Sequence, residues 1–287
     1  MMKSQSAMEY LMTYGWAILI IAVVLSVLFQ LGVFSSGNFQ PHAQPGACQV
    51  SRTVAGVSLE GQCNGLLPQY VLSLNGLNPE VVGPTMTVDL NTNSYTMCAW
   101  ADTLSTSLTP AYGDLLVAIQ YANTGMVVDT SGGAYEIDGY MAGQGAGLGS
   151  PTMGTWQFYC VDYAGFGSTS RSLYVDGASL GAITTGSTGV YTGQVQIGNG
   201  GYTCCGFTTN PPDYVSNVQI YNTSLSQPEI QALYQEGIGG APIRPQNLIG
   251  WWPLNGNAND YSGNGNNGQT YNSAIFISSW SSGYTAP

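Results

Sequence analysis

The chain has 287 residues, and 4 Lys and Arg residues against 15 Asp and Glu residues give it a formal net charge of −11. Only 7% of its residues are charged, against roughly 25% in typical soluble domains. A nucleic-acid-binding surface needs clustered cations, so this composition excludes nucleic acid as a partner. The deficit favours an exported chain whose surface carries uncharged polar groups.

The amino-terminal segment is strongly apolar. Residues 7–34 contain one carboxylate and no cation, and residues 16–28 are almost wholly aliphatic. Because a bilayer core of about 30 Å needs roughly 20 helical residues, the run predicts a long hydrophobic α-helix over 5–34. A secretory signal fits less well, because the run is long and no small-x-small cleavage site closes it before Gln40.

Glu9 is an anomaly at the entrance of this helix, since burying an unpaired carboxylate would cost several kcal/mol. Residues 3–10, KSQSAMEY, resemble the class III signal peptide of archaeal type IV pilins, although Ser4 stands where many pilins have glycine. The resemblance implies a leader over 1–4, with a prepilin peptidase cutting between Ser4 and Gln5. Glu9 would then pair with the new terminal amine, on Gln5, of a neighbouring subunit in a homo-oligomeric filament. An ordinary membrane anchor with a glutamate near the interface is the alternative.

Residues 35–46, SSGNFQPHAQPG, contain two prolines and two glycines and predict a linker between the helix and a head. The only histidine, His42, lies in this linker. It has no second imidazole and no Cys-His spacing beside it, so we interpret it as a solvated residue rather than a metal ligand or general base.

Beyond the linker the periodicity changes to short runs bounded by Gly, Asn or Pro, which predict antiparallel strands. Asp176-Gly177 is a hairpin turn signal, and Ser226 with Glu229 forms a capping box that predicts a helix ending near Gly237. The predicted strands cover residues 70–74, 95–101, 115–121, 134–141, 157–163, 172–175, 194–197 and 215–221.

Four ordered motifs carry a second resemblance: YTMCAW at 95–100, GTWQFYCVDY at 154–163, LYVDG at 173–177 and VQIYNTSLS at 218–226, which leads into EIQALY at 229–234. They resemble the LamG-like jelly-roll domains of the concanavalin A-like lectin/glucanase superfamily. The resemblance implies a mainly β head over 47–287, a sandwich of two antiparallel sheets. It also places Trp100, Trp156 and Tyr174 in the core or on a sheet face.

Residues 250–268 look like the opening strand and loop of that family, yet they lie near the carboxyl end. Too few residues follow to form another core. We therefore expect residues 248–287 to complete a sheet with the edge strand that would normally come first, as in a circularly permuted domain.

Six cysteines, an even number, favour disulfides in an oxidising compartment. Cys48 with Cys63 and Cys98 with Cys160 are candidate pairs, whereas the adjacent Cys204 and Cys205 are expected to bond to separate partners. Asn222, in Asn222-Thr223-Ser224, is a glycosylation candidate.

Two candidate chemistries remain. Glu136 and Asp138 share one face of a strand, as the carboxylates of related glucanases do, but no third carboxylate follows, so we expect no enzyme. The loop 255–267 offers oxygen ligands for Ca²⁺ in Asn257, Asn259 and Asp260, although amides and glycines also build turns without a cation. No other cofactor is expected.

The sequence thus predicts a structural subunit of an archaeal type IV pilus-like filament at the cell surface, anchored in the membrane before assembly. Its lectin-like head would mediate adhesion, with a glycan as a candidate ligand, or subunit contacts. A membrane-anchored carbohydrate-binding protein that does not polymerise is the main alternative, and a surface glycoside hydrolase is a weaker one.

Overall fold

The computed structural model describes residues 18–24, 26, 67–74, 80–103, 114–119, 124–129, 136–141, 145, 147–198 and 214–287. The chain divides into two compact units, Met1–His42 and Ala43–Pro287. In the first unit, residues 18–24 form helix α1, and Ser26 donates a hydrogen bond to the Ala22 carbonyl at 2.8 Å. The rest of the helix predicted over 5–34 falls outside the described residues. Among the helices in the described ranges, none combines the length and the apolar character needed to cross a membrane.

The second unit is built from fifteen described strands and the helix α2, Gln227–Gln235. The strands are β1 Val71–Ser73, β2 Glu80–Asp89, β3 Tyr95–Asp102, β4 Asp114–Ile119, β5 Thr124–Asp129, β6 Glu136–Tyr140, β7 Gly147–Leu148, β8 Trp156–Tyr163, β9 Arg171–Val175, β10 Ala178–Ile183, β11 Val190–Gly198, β12 Tyr214–Tyr221, β13 Leu248–Trp252, β14 Gln269–Tyr271 and β15 Ile275–Ile277.

These strands form two antiparallel sheets, as the jelly-roll resemblance implies. Sheet A has the order β10-β9-β8-β3-β12-β1-β15, with β13 also paired to β12. Sheet B has the order β14-β2-β11-β4-β5-β6-β7. The prediction of a mainly β, two-sheet antiparallel sandwich is confirmed.

Local signals explain several of the connections. Asp176 and Gly177 both adopt positive φ, +49° and +74°, and close the tight hairpin in which Val175 faces Ala178. Ser226 caps α2, where its backbone N–H donates to the Glu229 carboxylate at 2.8 Å. The predicted hairpin and the predicted helix are both confirmed.

The centre of sheet A is buried on both faces, because every residue of β3 and of β8 is buried. Side chains of β3 alternate between two cores. Met97 and Ala99 pack towards sheet B, whereas Cys98 and Trp100 pack into a second, aromatic core. Trp100, Trp156 and Tyr174 all belong to that second core, as the resemblance implies.

The carboxyl segment contributes strands to both sheets. β13 pairs with β12 and β15 pairs with β1 in sheet A, whereas β14 pairs with β2 at the edge of sheet B. Trp280 is buried, and its indole N–H donates to the Pro68 carbonyl at 3.1 Å. The circular permutation of the family order stays a prediction.

Candidate functional site

The central strands β3, β8 and β12 of sheet A offer no open face, whereas its edge strand β10 is exposed over residues 178–182. Its face opposite to sheet B is covered by α2 and by the carboxyl segment, whose Ile230, Leu233 and Trp280 pack into the aromatic core. The ring centroids of Trp100 and Tyr234 are 5.7 Å apart in a stacked arrangement. A ligand surface on the central strands of a sheet therefore has to lie on the outer face of sheet B, the face turned away from sheet A.

The register identifies the residues on this outer face. Val195 and Ile197 of β11 pack into the core between the sheets, so Gln194 and Gln196 point outwards. Gln194 pairs with Thr85, and Thr192 pairs with Thr87, whose hydroxyl lies 2.9 Å from that of Thr192.

The edge strand β14 continues this face. Tyr271 lies directly opposite Glu80, and Gln269 lies opposite Val82. The Tyr271 ring is 45% exposed, and its hydroxyl donates to Gln269 Oε1 at 2.8 Å. We call the exposed polar side chains of this face on β2, β11 and β14 the polar strip, which consists of Thr85, Thr87, Thr192, Gln194, Gln269 and Tyr271.

A buried pair adjoins the polar strip. Gln196 donates from Nε2 to Glu80 Oε2 at 2.8 Å, and both side chains are at least nine-tenths buried. Burial raises the pKa of Glu80, although the bond from Gln196 opposes that rise. Gln196 Oε1 is buried with no hydrogen-bond partner in the part of the chain that the structure describes. This acceptor on β11 lies two strands away from Tyr271 on β14, and Glu80 of β2 lies between them.

Glu136 and Asp138 also lie on the outer face of sheet B, on β6, where Asp138 pairs with Val127. A side chain at Gly145 would collide with the Asp138 carboxylate, and one at Gly147 would collide with that of Glu136, so backbone lies close over both. Glu80 is four strands away in the sheet order, which corresponds to about 19 Å. Glycosidases hold their two carboxyl groups about 5 to 10 Å apart, so Glu80 does not supply the carboxylate that the β6 motif lacks.

Arg171 is fully buried between the sheets. Its guanidinium donates to the backbone carbonyls of Gly139 in β6 and Thr185. Burial lowers the pKa of Arg171, and the nearby Tyr163 and Asp138 oppose that change. The other cation in the described ranges, Arg244, pairs with Glu229 beside α2. Neither of these two cations faces the polar strip.

Asp260, from the predicted calcium set, is the centre of a hydrogen-bonded loop. Its Oδ1 accepts from the backbone N–H of Trp251 at 2.9 Å and of Ser262 at 2.8 Å. Its Oδ2 accepts from the Ser262 hydroxyl at 2.9 Å and from the Asn266 N–H at 2.8 Å.

The two asparagines of that set are engaged as well. Asn257 accepts from the backbone N–H of Asn259 at 2.9 Å and donates to the Tyr261 hydroxyl at 3.2 Å. No group of three or more His, Cys, Asp or Glu side chains within the described ranges is arranged to hold a metal ion. A calcium ion at Asp260 would have to displace hydrogen bonds that already build the loop.

Cys98 and Cys160 face each other on β3 and β8 and form a disulfide, which confirms the expectation of a disulfide. Asn222 is exposed at the end of β12, where its amide oxygen accepts from Asn247 at 3.1 Å. The remaining predicted site residues lie outside the described residues: Ser4, Gln5, Glu9, His42, Cys48, Cys63, Cys204 and Cys205.

The polar strip itself is not predicted from the sequence. Its signal is the alternation of polar residues at 85 and 87 and at 192, 194 and 196. This alternation is typical of a strand with one solvated face, and it singles out no particular ligand.

Comparison with known proteins agrees with this architecture. The family model of the concanavalin A-like lectin/glucanases superfamily, in its laminin G-like form, matches residues 78–231, which is more than half of the chain. No curated protein matches.

Solved structures are similar to parts of this chain. One is a Bacteroides ovatus protein provisionally described as carbohydrate-binding, with a TM-score of 0.54 and 14% identity over 73% of this chain and 60% of the Bacteroides chain. This chain therefore spans less than two thirds of that relative. A heptameric pentraxin from Limulus polyphemus has a TM-score of 0.48 and 11% identity over 73% of this chain and 94% of its own. The Trypanosoma rangeli sialidase has a TM-score of 0.41 and 19% identity over 60% of this chain and 28% of its own.

These structural likenesses concern the fold alone, because the identities are low. The family match covers four of the motif segments read from the sequence, from YTMCAW at 95–100 to the helix that follows Ser226. The chain belongs to the concanavalin A-like lectin/glucanases superfamily.

Proposed function

We propose that the protein is a structural subunit of an archaeal type IV pilus-like surface filament, whose lectin-like head mediates adhesion by binding a neutral glycan on the polar strip. One observation carries the glycan assignment. The six side chains of the polar strip carry hydroxyl and amide groups beside an exposed tyrosine ring, and none of the six is charged; Glu80 and the half-buried Asp89 of β2 flank them.

The chemistry of the strip suits an uncharged sugar. Hydroxyl and amide groups both donate and accept hydrogen bonds, as sugar hydroxyls do. An aromatic ring such as that of Tyr271 offers an apolar face with a polar tip. An anionic sugar would need a cation, and the two cations in the described ranges are engaged elsewhere.

The filament part of the proposal is supported by the sequence. Residues 3–10 carry the short basic leader, the cleavage junction between Ser4 and Gln5, and Glu9. We propose that prepilin peptidase removes residues 1–4 and makes Gln5 the new amino terminus. The apolar helix would then hold the subunit in the membrane until copies of this helix polymerise. The head would be displayed on the outside of the cell.

We also propose that the head is not an enzyme. Glu136 and Asp138 are neighbours on β6, but backbone lies close over both, and Glu80 on β2 is too far away to supply the third carboxylate of the motif. Incubation with soluble β-glucan tests this part, and hydrolysis that Glu136→Gln abolishes would contradict it.

A binding panel tests the glycan proposal. Isothermal titration would compare neutral polysaccharides, namely β-glucan, mannan, galactan and xylan, with the anionic heparin and polygalacturonate. We expect at least one neutral polysaccharide to bind. Tyr271→Ala and Gln194→Ala should weaken that binding at least tenfold, about 1.4 kcal/mol.

Gln235→Ala is the matched control, because Gln235 is equally an exposed glutamine but lies on α2. Its affinity should equal that of the wild type. Binding of the anionic polymers alone, or equal losses in Gln194→Ala and Gln235→Ala, would overturn the assignment of the strip.

Electron microscopy and amino-terminal sequencing test the filament proposal. Filaments that contain this chain should disappear in Glu9→Ala, and the mature chain should begin at Gln5. Abundant membrane-bound monomer without filaments would instead favour the anchored lectin, and a mature chain that starts at Met1 would overturn the processing step.

A further inference from the structure

Phe166 is the most exposed large apolar side chain in the described ranges, at 72%. It lies in the loop 164–170 between β8 and β9, with φ of +52°. Its neighbours Gly165 and Gly167 also have positive φ, +64° and +78°. A bulky residue rarely adopts this left-handed conformation, and an exposed ring gives up the gain from burial. The left-handed backbone conformation and the exposed ring are therefore both unfavourable at Phe166, and a glycine or an asparagine at this position would avoid both.

The loop that carries Phe166 is held in one arrangement. Gly167 N–H donates to the Leu90 carbonyl at 3.0 Å, and Ser168 N–H donates to the Gly165 carbonyl at 2.9 Å. A side chain at Gly165 would collide with the carbonyl oxygen of Asn93, so the loop fits closely onto the turn between β2 and β3. Phe166 is thus presented to solvent on a backbone that is held in place, so ordering of the loop adds little to the entropy cost of binding.

The surroundings of Phe166 resemble those of the polar strip in chemistry. The turn under the loop displays Asn91, Thr92 and Asn93, all exposed. Asn93 donates from Nδ2 to the Thr92 hydroxyl at 3.0 Å, and Thr92 donates to Asp89 at 2.8 Å. An aromatic ring bordered by amides and a hydroxyl matches a neutral sugar, which has apolar C–H faces and a rim of hydroxyl groups.

The loop also lies at one end of the polar strip. Leu90, which accepts the bond from Gly167, donates its own N–H to Gly189 at 2.9 Å, next to Val190 in β11. Val190 pairs with Asp89, two residues from the pair of Thr87 and Thr192.

Tyr271 marks the other end of the strip, opposite Glu80. From Glu80 to Leu90 the chain advances ten residues, which corresponds to about 30 Å. A single sugar cannot touch both aromatic residues, whereas an extended chain can.

We propose that Phe166 is a second aromatic contact for the same neutral glycan, and that the head consequently selects extended polysaccharide chains over short oligosaccharides. This inference rests on the proposed glycan binding by the polar strip. The added contact at Phe166 requires a glycan chain that is long enough to reach from Tyr271 to Phe166.

The experiment measures affinity against chain length for the neutral polysaccharide that binds the full chain best. It uses wild type, Phe166→Ala, Phe166→Trp and Tyr271→Ala, with oligosaccharides of that polysaccharide from the disaccharide upwards and the intact polymer. For the wild type we expect affinity to rise with length until the oligosaccharide can span from Tyr271 to Phe166. Phe166→Ala should bind the polymer at least tenfold more weakly and should lose the rise at long lengths, whereas Phe166→Trp should keep both.

Loss of stability should not affect the binding measurements, because the ring of Phe166 is exposed and its removal leaves no cavity. The Tm of Phe166→Ala should equal that of the wild type, and Phe166→Gly should melt at the same or a higher temperature. If Phe166→Ala binds the polymer as the wild type does while Tyr271→Ala is weakened, the Phe166 contact is wrong and the strip stands. If no neutral polysaccharide binds the wild type, the proposed function itself is wrong.

Discussion

Arg171 of sheet A donates its Nε–H to the backbone carbonyl of Gly139 in sheet B. A second bond reaches Thr185, so one buried cation ties the two layers of the sandwich together. The nearby Tyr163 makes a parallel connection, because its hydroxyl bonds to the Tyr140 carbonyl at 2.7 Å. In a chain with so few cations, this one lies inside the fold rather than on its surface.

Arg171→Leu should lower the free energy of unfolding by about 3 to 5 kcal/mol, because it removes the donor of the buried Gly139 carbonyl, a second bond to Thr185 and the cation near Asp138. Arg244→Leu is the matched control. Arg244 is 42% exposed in its ion pair with Glu229, so its loss should cost about 0 to 1 kcal/mol. Urea denaturation measures both values, and equal losses in the two variants would refute the role of Arg171.

Deletion of residues 248–287 should unfold the head, because it removes β13, β14, β15 and three buried tryptophans. Trp280→Ala is a milder form of the same test and should cost about 3 to 5 kcal/mol. Tyr271→Ala changes an exposed ring in the same segment and should cost far less. A truncated head with unchanged melting behaviour would contradict this account of the segment.

The disulfide should contribute about 4 kcal/mol, because Cys98 and Cys160 are 62 residues apart and their bond restricts the unfolded chain. The double variant Cys98→Ala/Cys160→Ala measures this contribution by denaturation under oxidising conditions. The wild type in its native state should resist reduction by dithiothreitol, since both sulfurs are buried. A double variant as stable as the wild type would be inconsistent with this contribution.

Burial raises the pKa of Glu80 and of Asp162, so both native carboxyl groups hold a proton to higher pH than they do in the unfolded chain. Stability should therefore increase as pH falls from about 7 towards about 5, a range above the ordinary carboxyl pKa. Glu229 has a lowered pKa through its bonds from Ser226 and Arg244, which outweigh its partial burial. Its contribution is lost only below that range.

Glu80→Gln isolates the part of the pH effect that belongs to the buried pair of Glu80 and Gln196 beside the polar strip. The variant should show a smaller gain in unfolding free energy between about pH 7 and about pH 5 than the wild type does. Asp162→Asn provides the comparison in sheet A. An unchanged pH profile in Glu80→Gln would show that the burial of Glu80 carries no energetic cost.

The sequence predicts much of this fold because the central strands carry strong local signals. Strands β3, β8 and β12 are rich in apolar and aromatic residues, and Asp176-Gly177 specifies its hairpin locally. The sequence does not predict β2, because Gly83 and Pro84 interrupt the run. The structure accommodates them with a register shift, in which Gln194 faces Thr85 and Gln196 faces Val82. The strands β14 and β15 are too short to give a periodic signal.

The candidate site is harder to predict, because it depends on pairing between distant segments. Tyr271 acquires its place beside Glu80 only when β14 joins β2, and nothing local to either residue indicates that contact. The carboxylates of β6 attract attention in the sequence, yet the fold covers them with backbone. The hydrogen bonds of the predicted calcium ligand Asp260 could not be predicted for the same reason, because its donors come from β13 and from the far side of its loop.

Hydrogen–deuterium exchange of the full chain, with and without the neutral polysaccharide that binds it best, tests the central claim most directly. If a neutral glycan occupies the polar strip, slower exchange should appear in peptides that cover 85–87, 190–194 and 269–271, and not in α2. Protection confined to other segments, or no protection at saturating polysaccharide, would contradict the claim.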